Sequence, residues 1–405
     1  MRKLLSSPIK MALSDAENAL YQNALKFVSD ISLNLMAVKV TNRPDDFLGW
    51  STELLKLCRH EINFDLLEPK QFQPLKKLEE TLEVAASVSQ LKMVRIAPWP
   101  IFVDFIKQQS TIQALEERLR LLDYIKVLSD KPLAQMGEHD LLAFTGKHTN
   151  NHHHNVYDFD VEWFASTKGA KTFHLLLQQQ PEDFDHALSF IPLDGDVTPS
   201  QYQAFSSAFQ TIFSNYIKEK PSGEKAPLAA ATRLLAMRRP DQFVALTNAK
   251  IDVLCQGLSI AKFNNADFDS YWQDMIGTIR TFAWWHQTQP NTDSSDFTSD
   301  VDSQFELKIW QARALFIDLF LYADESLADQ SNFIRMRDKA LNKNSTSIKG
   351  KKQRTKETAE MLVDRALSDE NLPEYILGKR ESIVREVKNG KSVNHVIGLM
   401  RAIFG

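Results

Sequence analysis

The chain contains few of the residues on which several large protein classes depend. It has 2 cysteines, Cys58 and Cys255, and 13 glycines in 405 residues. Two cysteines exclude a disulfide framework and a four-cysteine zinc site. Both lie in apolar, helix-like segments, so we expect two buried thiols. The scarcity of glycine argues against β-sandwiches, propellers and glycine-rich phosphate-binding loops.

Motifs of common catalytic classes are also missing. The chain has no GxxxxGK[ST], GxGxxG, GxSxG or HExxH run, which removes support for P-loop hydrolysis, dinucleotide redox chemistry, α/β-hydrolase chemistry and zincin proteolysis. It also lacks a run of about 18 or more apolar residues, so we expect no membrane span. The N-terminal MRKLLSSPIKMAL lacks the long apolar run of a signal peptide. By elimination, we expect a cytoplasmic protein without a membrane partner.

The chain does contain a helical spacing of apolar residues through most of its length. Apolar side chains recur every three or four residues in four clear stripes, as on one face of an amphipathic helix. The stripes are Ile112–Ile125, Tyr202–Tyr216, Phe268–Phe282 and Ile309–Phe320. Because a helix needs one buried face to be stable in water, we interpret these stripes as core.

One segment has the alternation of a strand. Residues 157–163 alternate strictly between apolar and acidic side chains, which is the period-two pattern of a half-buried strand. Thr172–Leu177 follows a turn-like stretch and is a candidate for the second strand. The predicted fold class is therefore mainly α: a multi-helix body with at most a small β-hairpin near 157–177, plus a small basic C-terminal helical module.

Charge is unevenly distributed along the chain. The net charge is −4 overall, yet residues 333–405 hold 16 Lys and Arg against 9 Asp and Glu. That segment therefore carries +7 and the rest carries −11, which indicates that the two parts face different partners. Polar stretches predict three parts: an N-terminal helical domain 1–150, a central helical domain 151–341 with the hairpin, and a basic helical module 342–405.

A cluster of histidines and acids makes the alternating segment a candidate metal site. Its members are His148, His152, His153, His154, Asp158, Asp160 and Glu162. On a strand, the three carboxylates would share one face at a spacing of about 6.6–6.8 Å, where they repel one another unless solvated or bound to a metal. We favour a solvated loop and the exposed face of an edge strand, where charge discourages aggregation. The alternative is a divalent ion, held by His152, His154, Asp158 and Asp160, that activates water for phosphodiester hydrolysis.

The segment LLAMRRPDQFVALTNAK contains a second acidic pattern. Pro240-Asp241 followed by Lys250 resembles the Pro-Asp…Glu-x-Lys motif of Mg²⁺-dependent nucleases, but Asn248 stands in place of the second acid. We prefer a structural interpretation, in which one helix ends before Pro240 and Thr247 or Asn248 caps the next.

Much of the excess positive charge lies in one stretch. Residues 339–356 contain seven basic side chains and no acid: Lys339, Lys343, Lys349, Lys351, Lys352, Arg354 and Lys356. Such a cluster neutralises several phosphates of a nucleic acid. The later run IVREVKNGKSVNHVIGLM resembles the opening of a helix-turn-helix, in which Lys391, Asn394 and His395 would contact DNA. The alternative is a solvated linker before a small interaction bundle.

Four runs between about residues 230 and 341 form a further pattern: RRPDQFVALTNAK, YWQDMIGTIRTFAWW, IWQARALFIDLF and SNFIRMRDKAL. Together they resemble a pattern in uncharacterised bacterial helical proteins that are encoded near restriction and other phage-defence genes. The resemblance implies a biological setting and supplies no catalytic residue.

Three functions fit these features. The leading hypothesis is a non-catalytic helical adaptor in a bacterial multi-protein system such as phage defence. Its body would bind a protein, its basic module would bind DNA, and it would need no cofactor. The first alternative is a nuclease that uses a divalent metal at the histidine–aspartate cluster. The second alternative is a purely structural assembly subunit.

Overall fold

The computed structural model describes residues 12–36, 44–63, 67–109, 115–147, 164–219, 226–290, 297–321, 358–368 and 373–388, and positions 393, 396, 397 and 400. Helices dominate these residues, and no strand occurs among them. The prediction of a mainly α fold is therefore confirmed. The chain forms two compact units: the body, Met1–Ala340, and the C-terminal unit, Leu341–Gly405.

Three long helices open the body: α1 (Asp15–Met36), α2 (Phe47–His60) and α3 (Phe72–Ile96). At the start of α1, the Ser14 N–H donates to the Glu17 carboxylate over 2.8 Å, and the Glu17 N–H donates to Ser14 Oγ over 3.3 Å. This capping box satisfies amides that have no partner within the helix. Ser89 and Lys92 of α3 also donate to Glu17, at 2.8 and 2.6 Å, so the cap attaches α1 to α3.

The described helices that follow in the body are α4 (Trp99–Gln108), α5 (Leu115–Leu128), α6 (Glu138–Thr145), α7 (Lys171–Gln179), α8 (Pro181–Ser189), α9 (Pro199–Glu219), α10 (Leu228–Arg238), α11 (Ile251–Leu258), α12 (268–279) and α13 (Phe297–Gln311). Within α12, Tyr271–Ile276 is π-helical. Two 3₁₀ turns, Ala283–His286 and Leu315–Leu321, flank α13 in the chain. Among the described residues, no helix has both the length and the apolar character needed to cross a membrane.

Two apolar clusters fill the body, and α3 contributes to both. Leu78 and Leu82 pack with α1 and α2 in the first cluster, whereas Leu91 belongs to the second, which extends along the chain to the second 3₁₀ turn. The second cluster contains residues from both sides of residue 150, including Phe144 and Phe173. Packing is thus continuous across residue 150, and a division of the body into two domains at that point stays a prediction.

A glycine allows α11 to approach α3 closely. A Cβ at Gly257 would lie 2.4 Å from Leu91 Cδ1 and 2.6 Å from Leu91 Cβ, which is closer than real side-chain atoms approach. The missing side chain permits this contact. Through it, α3 supports the segment between α10 and α11, which carries several of the charged residues of the candidate site.

The C-terminal unit has an apolar core of its own. Its described helices are α14 (Ala359–Leu367), α15 (Glu374–Leu377) and α16 (Arg380–Lys388). The buried residues of this core are Val363, Ile376, Ile383, Val384, Val396 and Ile397. These helices agree with the predicted small helical module at the C-terminus.

The candidate second strand of the hairpin, Thr172–Leu177, is helical and lies within α7. That part of the hairpin prediction is wrong, while residues 157–163 lie outside the described residues. Phe173, Leu176 and Leu177 are buried, and their spacing of three and four residues places them on one helix face. A short apolar run does not show by its period whether it forms a helix or a strand.

Candidate functional site

The residues predicted to bind a metal, His152, His154, Asp158 and Asp160, lie outside the described residues. In the part of the chain that the structure describes, no group of three or more His, Cys, Asp or Glu side chains is arranged to hold a metal ion. The divalent-metal site therefore stays a prediction.

The body holds the backbone on both sides of the segment that carries this cluster. Arg233 of α10 is fully buried and donates to Ala143 O at 2.7 Å and to Phe144 O at 3.2 Å, near the end of α6. The same guanidinium donates to Phe164 O at 2.8 Å, beyond the segment. Phe164 and Ala165 have positive φ angles of 61° and 71°, which is a strained conformation for residues with a side chain. The buried guanidinium of Arg233 therefore stabilises the strained backbone at Phe164.

A neutral histidine adds to this anchor. The Thr167 hydroxyl donates to Thr145 O at 2.6 Å, and Nε2 of His174 lies 2.9 Å from the same hydroxyl oxygen. Because the hydroxyl proton is engaged with Thr145, the oxygen accepts a hydrogen bond from Nε2–H of His174. Burial lowers the pKa of His174 to about 4, and the nearby charge of Lys147 acts in the same direction. The ring is therefore neutral near pH 7.

The residues predicted to contact DNA also lie outside the described residues: Lys339, Lys343, Lys349, Lys351, Lys352, Arg354, Lys356, Lys391, Asn394 and His395. The C-terminal unit nevertheless shows where its charge is located. Its described residues hold 5 Lys and Arg against 5 Asp and Glu, whereas the rest of the unit holds 8 against 3. The net charge of +5 therefore belongs to residues beside and between the described helices.

The described helices of the C-terminal unit pair charges with one another. Nε and Nη2 of Arg380 on α16 donate to the two carboxylate oxygens of Asp364 on α14, at 2.5 and 2.8 Å. Lys388 forms an ion pair with Glu360. The hydrogen bond from Arg380 lowers the pKa of Asp364, and the hydrogen bond from Lys388 lowers the pKa of Glu360. The described helices of the C-terminal unit are thus nearly neutral.

The Pro-Asp…Lys pattern does not form a nuclease site. Arg239 Nε donates to Asp241 at 2.8 Å, whereas Lys250 Nζ lies 2.6 Å from Asp318 Oδ1. Asp241 and Lys250 therefore belong to different ion pairs. The structural interpretation is confirmed, since α10 ends before the proline and α11 begins after the asparagine. The predicted cap is wrong in detail, because Lys250, and neither Thr247 nor Asn248, occupies the cap position of α11.

Asp318 is a buried carboxylate between two cations. Its Oδ2 accepts from Arg118 Nη1 at 3.0 Å, and its Oδ1 accepts from Lys250 Nζ at 2.6 Å. Burial alone would raise the pKa of Asp318, but the charges of Lys250 and Arg118 outweigh burial and lower it. The guanidinium of Arg118 also lies over the Phe164 ring, 4.9 Å from its centroid. This network fastens α5 and the start of α11 to the 3₁₀ turn Leu315–Leu321.

Arginine and aromatic side chains form a stacked ladder in the body. Its members, in order, are Tyr202, Trp272, Arg280, Trp285, Arg313 and Trp310. Tyr202 stacks on Trp272 with centroids 4.7 Å apart. Each guanidinium carbon lies 4.5–5.7 Å from the centroids of the two tryptophans beside it. Cation–π contacts strengthen when water is excluded, so the ladder ties α9, α12 and α13 together.

Three of the runs that carry the bacterial resemblance meet at this ladder. The Leu315 N–H donates to Pro240 O at 3.0 Å, and Arg280 Nη2 donates to Gln242 Oε1 at 2.8 Å. The runs RRPDQFVALTNAK, YWQDMIGTIRTFAWW and IWQARALFIDLF therefore form one packed structure. The ladder was not predicted, because its members come from three separate stretches of the chain and only Tyr202 and Trp272 belong to the apolar stripes. The available signal was arginine close to tryptophan in two of the runs.

A cleft of about 770 Å³ lies beside Trp310, at one end of the ladder. Helices α5, α10 and α13 all end at this cleft, and the loop Leu193–Gly195 forms a further wall. Arg239 holds the loop in place, since its Nη2 donates to Gly195 O at 2.5 Å. No sequence pattern indicated the cleft, because its walls come from five separate parts of the chain.

Both cysteines are buried, free thiols, as predicted. Burial raises the pKa of Cys58 to about 12 and also raises the pKa of Cys255. Because the thiolate is the nucleophilic form, neither cysteine is suited to nucleophilic catalysis at neutral pH.

Two features bear on function. The first is the C-terminal unit, whose nearly neutral helices are flanked in the sequence by basic residues. The second is the cleft at the end of the ladder. Comparison of the chain with protein-family models, curated proteins and solved structures finds no match. The proposals for function therefore depend on the geometry and the charge of the chain itself.

Proposed function

We propose that the protein is a non-catalytic helical adaptor of the bacterial cytoplasm, which binds DNA through its C-terminal unit and a protein partner through its body. The observation that carries this proposal is the distribution of charge in the C-terminal unit. Its described residues are charge-balanced, and the other residues of the unit carry a net charge of +5. The body carries the remaining −9, which repels a polyanion.

The physical basis of DNA binding is the release of counterions. Each phosphate that a lysine or arginine neutralises frees bound cations, so log affinity falls with log salt by about 0.9 per contact on duplex DNA. Such contacts set affinity without reading sequence. Lys391, Asn394 and His395 lie in the run that resembles the opening of a helix-turn-helix, and they are the proposed contacts to bases.

Fluorescence anisotropy with a labelled DNA duplex, repeated over a series of salt concentrations, tests this part. Changing Lys349, Lys351, Lys352 and Lys356 together to Gln should weaken binding and reduce the salt slope by about 3 to 4. The matched control changes four exposed lysines of the body to Gln: Lys70, Lys76, Lys77 and Lys262. The control should bind like the unaltered protein. Equal losses in both variants, or no salt-dependent binding at all, would favour a purely structural subunit.

The resemblance of residues 230–341 to proteins encoded near phage-defence genes supports a role as one subunit of such a system. The body also presents apolar side chains to solvent near the junction of α3 and α4, where Ile96 is 72% and Ile101 is 42% exposed. Apolar surface of this kind is a common contact for protein partners. Co-purification with the products of neighbouring genes should succeed for the unaltered chain and fail for the double variant Ile96→Lys and Ile101→Lys. Unchanged co-purification would exclude this surface.

A metal-dependent nuclease is the second candidate function. One observation favours it: Arg233 binds the backbone on both sides of the segment that contains His152, His154, Asp158 and Asp160. Incubation of the purified chain with plasmid and Mg²⁺ or Mn²⁺ separates the candidates. Cleavage that disappears in Asp160→Ala would support the nuclease. A lack of cleavage together with a lack of metal in elemental analysis would support the adaptor.

A further inference from the structure

Arg238 and Arg239 are neighbours in the chain, but their surroundings differ. The guanidinium of Arg239 binds both oxygens of Asp241 and donates to two loop carbonyls. Arg238 donates to Ser129 O through Nη1, and its buried Nε has no hydrogen-bond partner. A buried donor without an acceptor is unfavourable and calls for an explanation.

The environment of Arg238 favours an anion from outside the chain. Burial lowers the pKa of this guanidinium. The negative charges of Asp130 and Asp185 act in the opposite direction, through charge alone. Asp185 uses its carboxylate oxygens elsewhere, accepting from the Leu133 and Ala134 N–H groups at 2.6 and 3.0 Å. Arg238 is therefore a partly desolvated cation without a contacting carboxylate among the described residues, and an anion in contact would offset the cost of burying it.

The other charged groups of the cleft have hydrogen-bond partners there or are exposed. The bonded pairs are Lys308 with Asp123, Arg239 with Asp241, and Lys126 with the neutral Gln311. Asp130 and Asp194 also line the cleft and are exposed. Water and salt screen exposed charges, so these two carboxylates repel an incoming anion only weakly.

The size and the apolar lining of the cleft match a small molecule. Its volume of about 770 Å³ falls in the range of about 300–1,000 Å³ that is typical of ligand sites. Leu119, Met237 and Trp310 line it, and the lining residues Val127 and Leu193 are 76% and 41% exposed. Covering this apolar surface would favour a ligand with an apolar part.

We propose that this cleft binds a small organic anion, in which a carboxylate or phosphate group pairs with Arg238 and an apolar part packs against Trp310. Because Nη1 donates to Ser129 O and Nε is closed to solvent, Nη2 is the donor of Arg238 that remains for an oxygen of either group. The site is separate from the DNA-binding function proposed for the C-terminal unit, so either can fail without the other.

Ligand-observed NMR with the full chain tests the proposal. The probes are phenylacetate, phenyl phosphate and the neutral 2-phenylethanol, with inorganic phosphate as a probe that lacks the apolar part. We expect at least one aromatic anion to bind, and to bind at least about tenfold more tightly than 2-phenylethanol, because a charge-assisted hydrogen bond is stronger than a neutral one. The better of the two aromatic anions identifies the acidic group.

Two variants and a control complete the experiment. Arg238→Gln should abolish anion binding, and the exposed Leu193→Glu should weaken it by adding a negative charge at the wall, which keeps the test valid if Arg238→Gln folds poorly. Lys262→Gln removes one exposed positive charge away from the cleft and should bind like the unaltered chain. Failure of both aromatic anions to bind at millimolar concentration would overturn the proposal. Equal binding of anions and alcohol, or undiminished binding by the folded Arg238→Gln protein, would also overturn it.

Discussion

The body and the C-terminal unit use charged side chains in different environments. In the body, Asp318 is 1% exposed and Arg233 is 0% exposed, and each binds groups that are distant in the chain. In the C-terminal unit, the side chains of the pair Arg380–Asp364 are 45% and 52% exposed. Removing one member of a buried set leaves a desolvated group without a partner, whereas water replaces the partner at an exposed pair.

This difference shows which charges of the body serve its folding. The body uses Arg118, Lys250 and Asp318 to fix how its helices pack, so a change at any of them alters stability. The C-terminal unit has an apolar core of its own, and its sequence carries a net charge of +5. Substitutions of charged residues should therefore have different effects in the two units. In the body we expect large losses of stability, and in the C-terminal unit we expect losses of ligand binding.

The largest expected effect is that of Arg233→Met. The change leaves the carbonyls of Ala143, Phe144 and Phe164 without this donor in the core, and each buried unsatisfied acceptor costs about 1–3 kcal/mol. We expect the free energy of unfolding of the body to fall by about 4 kcal/mol, measured by urea unfolding and tryptophan fluorescence. All 7 tryptophans precede residue 341, so this signal reports the body. Arg380→Met is the control and should leave the transition unchanged; a stable Arg233→Met protein would contradict the assigned role.

Asp318→Asn should have the next largest effect. It removes the charge that the buried Arg118 and the half-buried Lys250 contact, which costs about 3 kcal/mol. Because the pKa of Asp318 is lowered on folding, its contribution is present above the pKa of the unfolded chain and is lost as pH falls through the folded pKa. Urea unfolding at pH 7 and near pH 3 should therefore show a smaller difference between the two proteins at the lower pH. An equal difference at both pH values would argue against the ion pairs as the cause.

His174 should make the body sensitive to mild acid. Its pKa is lowered on folding to about 4, so the unfolded chain binds a proton first, and stability is lost as pH falls from about 6.5 towards 4. The loss should reach about 3 kcal/mol at pH 4, since the pKa falls by about 2.5 units at about 1.4 kcal/mol per unit and the folded group is then half protonated. His174→Gln keeps a hydrogen-bond donor but cannot take up this proton, so its unfolding energy should vary less with pH. Parallel pH profiles for the two proteins would show that another group is responsible.

The sequence predicted those parts of the fold that depend on local spacing. Phe205, Phe209 and Phe213 are buried along α9, because a period of three to four residues places them on one face. Thr172–Leu177 was assigned wrongly, since the run was too short for its period to decide between helix and strand. The π-helical turn in α12 escaped prediction because it changes hydrogen bonding without changing the apolar spacing.

The interactions of polar residues in the body were not predictable in the same way. Arg118 and Asp318 are separated by 200 positions, and Arg233 and Phe164 by 69, so no local window contains both partners. The cleft at Arg238 was not predictable for the same reason, because its walls come from distant parts of the chain. The basic segment and the histidine–aspartate cluster were found because their residues are close together in the chain, and both stay predictions of function.

The smallest expected effect is that of Asp364→Asn. This substitution removes the charge that Arg380 contacts, but both side chains are about half exposed, so water and salt take over the role of the missing partner. We expect no measurable change in hydrogen exchange of α14 and α16, followed by mass spectrometry because the C-terminal unit contains no tryptophan. Val363→Ala is the matched comparison on the same helix, since Val363 is 0% exposed, and it should accelerate exchange across both helices. If Asp364→Asn accelerated exchange as much as Val363→Ala, charge would stabilise the C-terminal unit as it does the body, and the contrast between the two units would disappear.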